Sequence, residues 1–123
     1  MSFNPVGWFE IYVQDMKRAR KFYESVFQVE LQRLESPAIE MWAFPYLEGE
    51  KGIAGALVHA PGVPSGGNST MVYFTCADCA VHGARAAAAG GKLEREKMSI
   101  GQYGYIVLIR DTEGNLVGLH SRD

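Results

Sequence analysis

The sequence is short of cysteine, of net charge and of any long apolar run, and each shortage removes a class of protein. Two cysteines, Cys76 and Cys79, are too few for a disulfide framework. They stand in "TCADCAVH" as C-x-x-C, with His82 following shortly after. A zinc site needs three or four ligands, and His59 and His120 have no paired spacing with this cluster. A thioredoxin-like dithiol opens a helix after a strand, as this one does, but the strand–helix alternation of that fold is missing. Two reduced thiols are the favoured reading. A formal net charge of −2 and a pI near 5.9 leave no basic footprint, so nucleic acid is not an expected partner. No apolar run approaches the roughly 20 residues that span a bilayer, so no membrane partner is expected. "MSFNPVGW" lacks the charged-then-apolar order of a signal peptide, which makes the cytoplasm the expected compartment.

What is present is an ordinary globular composition, 47% hydrophobic and 21% charged, across one domain's length of 123 residues. The chain reads as a duplicated unit. Asp15 closes the strand-like "WFEIYVQD" and Asp78 closes "MVYFTCAD", about half the chain further on. The same offset carries Trp42 onto Tyr105 and Gly55 onto Gly118. Repeat one is expected over about 6–60, a linker over about 61–69 and repeat two over about 70–121. The linker, "APGVPSGGNS", reads as flexible and lacks the spacing of a phosphate loop.

Asp15 is a good N-cap, and behind it Ala19, Phe22, Tyr23, Val26 and Phe27 recur at helical spacing as one apolar stripe. Asp78 caps a second helix containing "GARAAAA", which Gly90-Gly91 can end. Alternation and β-branched or aromatic content predict strands near 6–13, 30–35, 39–46 and 53–59, then 70–76, 92–96, 103–110 and 115–120. "LEGEKG" and "RDTEGN" read as turns.

A βαβββ unit present twice, opened by "VQDMKRARKFYESVF", resembles the vicinal oxygen chelate superfamily: glyoxalase I, bleomycin-resistance proteins and extradiol dioxygenases. "GGKLE" after the second helix and the D-x-E-G-N turn at 111–115 add to the resemblance. Gln28 departs from the glycine that usually ends the first helix, and Thr112 from a common proline. The resemblance implies an α+β fold, two βαβββ repeats forming a cup-shaped eight-stranded sheet with a central cavity. It also implies a homodimer. Metal-dependent members hold a divalent ion through His, Glu or Gln on the first and last strands of the repeats. Here those positions fall near Trp8, Gly55, Met71 and Gly118, or one residue on at Phe9, Ala56, Val72 and Leu119. None is a suitable donor, so no metal and no other cofactor is expected.

If Trp8 faces the cavity, strand alternation turns Glu10 and Tyr12 with it. The repeat then turns Met71, Tyr73 and Thr75 inward, with Gly55, Leu57, Gly118 and His120 on the floor; Tyr103 completes the expected ligand-binding set. Such an aromatic wall with one carboxylate suits a small-molecule pocket. The alternative is that the aromatics fill the cup and Glu10 is hydrogen-bonded structure. Three functions are open. The first is metal-free small-molecule binding, with Trp8, Tyr12 and Tyr73 stacking on a planar or cationic ligand and Glu10 as counter-charge. The second is a lyase, isomerase or dioxygenase-like enzyme using Glu10 and His120 as base and acid, or as non-standard metal ligands. The third is a regulatory or assembly module without a ligand.

Overall fold

The computed structural model describes residues 4–49, 52–110, 112 and 114–123; Glu50, Lys51, Asp111 and Glu113, which belong to the two expected turns, lie outside them. The elements follow in the order β1 (Val6–Tyr12), α1 (Met16–Phe27), β2 (Gln32–Leu34), β3 (Glu40–Ala43), β4 (Ala54–His59), β5 (Thr70–Thr75), α2 (Cys79–Ala88), β6 (Lys92–Ser99), β7 (Tyr105–Arg110) and β8 (Leu116–Ser121). Strand, helix and three strands occur twice, giving an α+β chain with eight strands in the order β2-β3-β4-β1-β5-β8-β7-β6. Its backbone contacts divide it into two compact units, residues 9–70 and residues 71–123 together with 1–8, and β1 runs through both.

In residues 9–70, Asp15 caps α1 from an extended conformation, its Oδ1 accepting the Arg18 N–H at 3.0 Å. Met16, Ala19 and Tyr23 then bring α1 onto Ile11, Val13, Leu31, Trp42, Phe44 and Leu57. Tyr23 meets Phe44 edge-on at 5.8 Å, and Phe9 lies 5.4 Å from the same ring. A Cβ on Gly55 would fall 2.2 Å from the Phe9 ring, so the glycine is what lets that ring lie on β4. The apolar stripe is wider than its contact. Phe22 and Val26 sit one position, about 100° of helix, off the Ala19–Tyr23 line. With Phe27 at the helix end they are exposed rather than buried.

In the other unit, Asp78 caps α2 by accepting the Ala80 N–H at 3.0 Å. Cys79, Val107, Ile109 and Leu119 form its core, with Phe74, Cys76, Ala86 and Val117 around them. Gly83 brings α2 close to β7, since a Cβ there would stand 3.0 Å from Val107 Cγ1. As expected the helix ends at the glycine pair, Gly90 having φ +101°. β6 runs further than expected, with register shifts against β7. Residues 101–103 form a 3-10 turn where a strand start is expected. The cause is Gly104: its φ is +107°, and a Cβ would come 2.4 Å from the Ser121 carbonyl oxygen.

The offset that relates Asp15 to Asp78 fails in the last strand of each repeat. Trp42 pairs with Leu57, and Tyr105, its counterpart, pairs with Ser121. The step from Leu57 to Ser121 is one position longer than the step from Trp42 to Tyr105. A one-residue slip exchanges the two faces of a strand. Gly55 thus faces its own helix, whereas Gly118, its apparent counterpart in the sequence, faces away from the other.

Candidate functional site

Alternation on β1 gives Phe9, Ile11 and Val13 to the α1 core and leaves Glu10 and Tyr12 on the opposite face. Glu10 is only 8% exposed. The Tyr12 hydroxyl donates to its Oε1 at 2.5 Å, a short charge-assisted bond between side chains on one strand face. Ala54, Ala56 and Val58 of β4 fall on this same side, as do Met41 and Ala43 of β3, which pair with Val58 and Ala56. Apolar side chains of β3 and β4 thus share a strand face with the acid–phenol pair. Leu57 is a correction. It is fully buried under α1 with Val13, Met16 and Leu31, on the face away from Glu10, because of the register slip.

The segment expected to be a flexible linker is fastened to the end of β1. Tyr12 donates its N–H to the Ser69 carbonyl at 2.7 Å and accepts the Ser65 hydroxyl on its own carbonyl at 3.0 Å. Gln14 Nε2 donates to the Val63 carbonyl at 3.0 Å. The sequence gives no sign that Ser65 and Ser69 partner Tyr12, because bonds to the backbone from so far along the chain leave no periodic trace. His59 Nδ1 is 2.9 Å from the Val13 carbonyl. A carbonyl only accepts, so that nitrogen carries the proton.

In the second unit Met71, Tyr73, Gly118 and His120 lie on the side away from α2. Met71 and Tyr73 are buried, and Thr75 is exposed with Oγ1 against Gly7. Trp8, at the β1 end of this unit, is half-buried. The Tyr73 ring lies against Gly118, where a Cβ would stand 2.2 Å from it. His120 Nε2 donates to the Tyr103 carbonyl at 2.6 Å. Tyr103 therefore reaches His120 with its backbone, while its side chain is exposed on the 3-10 turn.

Both cysteines are free thiols. Cys76 Sγ donates to the His120 carbonyl at 3.5 Å. Burial first, then the neighbouring Cys79 and Asp78, push its pKa up, so it stays protonated and weakly nucleophilic. Lys97 Nζ donates to Asp78 Oδ1 and to the Asp123 carbonyl, both at 2.9 Å. The Lys97 hydrogen bond, followed by the Ala80 N–H, holds the Asp78 carboxyl below its usual range; the same Lys97 bond raises the lysine. An open groove of about 480 Å³ runs along α1, lined by Lys17, Arg20, Lys21, Glu24, Ser25 and Gln28, and includes none of the expected site residues.

A divalent ion needs several convergent hard or borderline donors. Among the described residues no three His, Cys, Asp or Glu side chains are grouped to hold one. The first-strand positions Trp8 and Met71 offer an N–H donor and a thioether, and Gly118 offers no side chain. These residues do not fit the metal of the metal-dependent vicinal oxygen chelate enzymes.

The fold is shared with solved structures at low identity. A methylmalonyl-CoA epimerase variant of Streptomyces coelicolor, in complex with 2-nitronate-propionyl-CoA, superposes with a TM-score of 0.69 at 14% identity, covering 98% of this chain and 95% of that one. The methylmalonyl-CoA epimerase of Mycobacterium tuberculosis gives 0.69 at 16%, covering 97% and 88%. A hypothetical protein from Bacillus halodurans C-125 gives 0.73 at 10%, covering 96% and 94%. No curated protein matches in sequence. The family model does match, over residues 6–119, and the chain belongs to the Glyoxalase/Bleomycin resistance protein/Dioxygenase superfamily.

Proposed function

We propose that the chain is a metal-free binder of a small organic cation, with Glu10 as counter-charge and Tyr12 as the group that orients it. The observation that carries this is the buried Glu10 carboxylate accepting the Tyr12 hydroxyl at 2.5 Å. A carboxylate taken out of water is costly unless charge and hydrogen bonds compensate it. A carboxylate accepts several hydrogen bonds at once, so a ligand's N–H donor can share Glu10 with the phenol. Trp8, Met71, Tyr73, Thr75 and His120 belong to the other unit and are candidates for ligand contact there in their own right. The protein acts in this reading as a cytoplasmic homodimer, without nucleic acid or membrane as a partner. A panel of aromatic amines and amidines, followed by calorimetry and by tryptophan emission, tests the proposal. A hit should weaken at least tenfold in Glu10→Gln and less in Tyr12→Phe. A ligand that binds Glu10→Gln as tightly as wild type would remove Glu10 from the site.

The second reading is enzymatic, favoured by the epimerases among the fold relatives, one of them bound to a CoA compound. Glu10 would take a proton from carbon next to a carbonyl. In the other unit His120 has Nε2 committed to the Tyr103 carbonyl, which leaves Nδ1 as its nitrogen for acid–base work. Exchange of the α-proton of an acyl-CoA thioester in D2O, followed by NMR, should occur with wild type and cease with Glu10→Gln. No exchange by wild type would end this reading and leave the binder.

A further inference from the structure

We infer that Cys76 and Cys79 are a thiol pair that a low-molecular-weight disulfide oxidises, with Cys76 as the site of attack and Cys79 as the resolving thiol. Neither the binding proposal nor the enzymatic one uses these residues. Strand alternation puts Phe74 and Cys76 on the α2 side of β5, opposite Tyr73 and Thr75. Cys79 opens α2 and belongs to the core against which Phe74 and Cys76 pack. The chain bends at Ala77, between the two. Both residues are also tied to consecutive positions of β8. Cys76 donates its N–H to the His120 carbonyl at 2.9 Å, and Cys79 donates its own to the Ser121 hydroxyl at 3.0 Å. The other repeat supplies an independent check. By the offset that relates Asp15 to Asp78, Val13 and Met16 are the counterparts of Cys76 and Cys79, and they share one buried core. These are the positions where the fold turns two side chains together beneath a helix start, and repeat two fills both with sulfur.

The two thiols differ in access. Cys79 is fully buried and Cys76 is half-buried, so a reagent in solution meets Cys76 first. Cys76, its proton lost to water, attacks one sulfur of the reagent and expels a thiolate, leaving a mixed disulfide. Cys79, likewise deprotonated, attacks the Cys76 sulfur and expels the second thiolate. Two protein thiols become one disulfide, the reagent disulfide becomes two thiols, and the two protons released end on those. Burial, then the neighbouring Cys79 and Asp78, disfavour the Cys76 thiolate, and Lys97 offsets this only in part. Attack by Cys76 and its later release as a leaving group are therefore both slow. The pair is a latch that closes under sustained oxidation, not a rapid dithiol shuttle.

The test holds fully reduced protein with excess oxidised glutathione for about a day at about pH 8.5, where free thiols ionise. Intact mass and free-thiol counting follow the reaction. Wild type should lose both thiols and two hydrogens and carry no glutathione. Cys79→Ala should stop with one glutathione on Cys76. Cys76→Ala should stay unmodified while folded and react once urea exposes Cys79, with circular dichroism reporting the fold of each variant. Wild type that keeps both thiols free, or that ends with glutathione attached, overturns the inference, and this outcome needs no variant to fold. So does a folded Cys76→Ala protein that takes up glutathione as fast as Cys79→Ala. None of these outcomes depends on ligand binding at Glu10.

Discussion

In residues 9–70 the helix rests on its sheet through large side chains, Met16 and Tyr23 against Phe44 and Leu57. In residues 71–123 the helix rests through small ones, with Gly83 against Val107 and Ala86 beside the Cys79–Leu119 core. The strand faces opposite the helices differ too. Glu10 and Tyr12 of repeat one correspond to Tyr73 and Thr75 of repeat two, by the offset that relates Asp15 to Asp78. Repeat one thus places an acid where repeat two places a phenol. The acid accepts from its own strand's tyrosine, and the phenol ring lies against Gly118. Duplication kept the backbone plan and left the chemistry of each face to vary. The acid–phenol pair is the part of the two faces most suited to recognition, so repeat one carries the proposed site.

The sharpest contrast lies at one register position. Leu57 and Ser121 are counterparts, the one paired with Trp42 and the other with Tyr105. Leu57 holds repeat one by apolar volume and is fully buried. Ser121 holds repeat two by hydrogen bonding, its hydroxyl accepting the buried Cys79 N–H at 3.0 Å and donating to the Asp123 carbonyl at 2.9 Å. Leu57→Ala should cost about 2–5 kcal/mol, the transfer term plus the cavity it leaves. Ser121→Ala should cost about 1–3 kcal/mol by orphaning that N–H. Urea unfolding of the two variants measures both. A larger loss for Ser121→Ala than for Leu57→Ala would mean that the register equivalence does not describe how the cores are held.

The helix N-termini offer a second contrast. Asp78 has Lys97 as a partner as well as its capping bond, and its carboxyl is held down chiefly by that lysine. A depressed carboxyl contributes stability above its unfolded value of 3.8 that is lost as pH falls through the lower folded value. Lys97, raised above 10.5, contributes below that value and loses its part as pH rises through the higher folded one. The Tm gap between wild type and Asp78→Asn should therefore be flat from weakly acidic to weakly alkaline pH and close in strong acid. A gap that stayed open at the acid end would assign the effect to the side-chain amide rather than to the lost charge.

Much of this is legible in the sequence. Asp15 and Asp78 mark both helix starts because capping is a local interaction, and the strand–helix–three-strand order follows from periods of 2 and 3.6. The displacement of the last strands is not legible. The extra residue in repeat two is hidden when Gly55 and Gly118 coincide at the common offset, and only strand pairing shows that they face opposite ways. Phe22 and Val26 look like core because periodicity reports an apolar arc, not how much of that arc the sheet covers. Alternation alone puts Glu10 on the same strand face as Tyr12. Their hydrogen bond is not readable, because both side chains must fold along the strand to meet.

The smallest predicted effect concerns the helix C-termini. α2 ends at Gly90, which adopts φ +101° without a side chain to resist it, whereas α1 ends at Gln28 with φ +55°. A Cβ in the left-handed region costs roughly 1–2 kcal/mol. Gln28 offsets part of that by donating Nε2 to the Ser25 carbonyl at 2.6 Å, and its backbone N–H still reaches the Glu24 carbonyl. Gln28→Gly removes the strain and the exposed side-chain bond together, and it also loosens the unfolded chain. The net should be a gain of up to about 1 kcal/mol, read as a higher urea midpoint with an unchanged slope. Gln28→Ala, which keeps the strain and loses the bond, should instead lower the midpoint. If the two variants moved together, the side-chain bond rather than the backbone conformation would set the stability of this terminus, and the two repeats would end their helices by different physics.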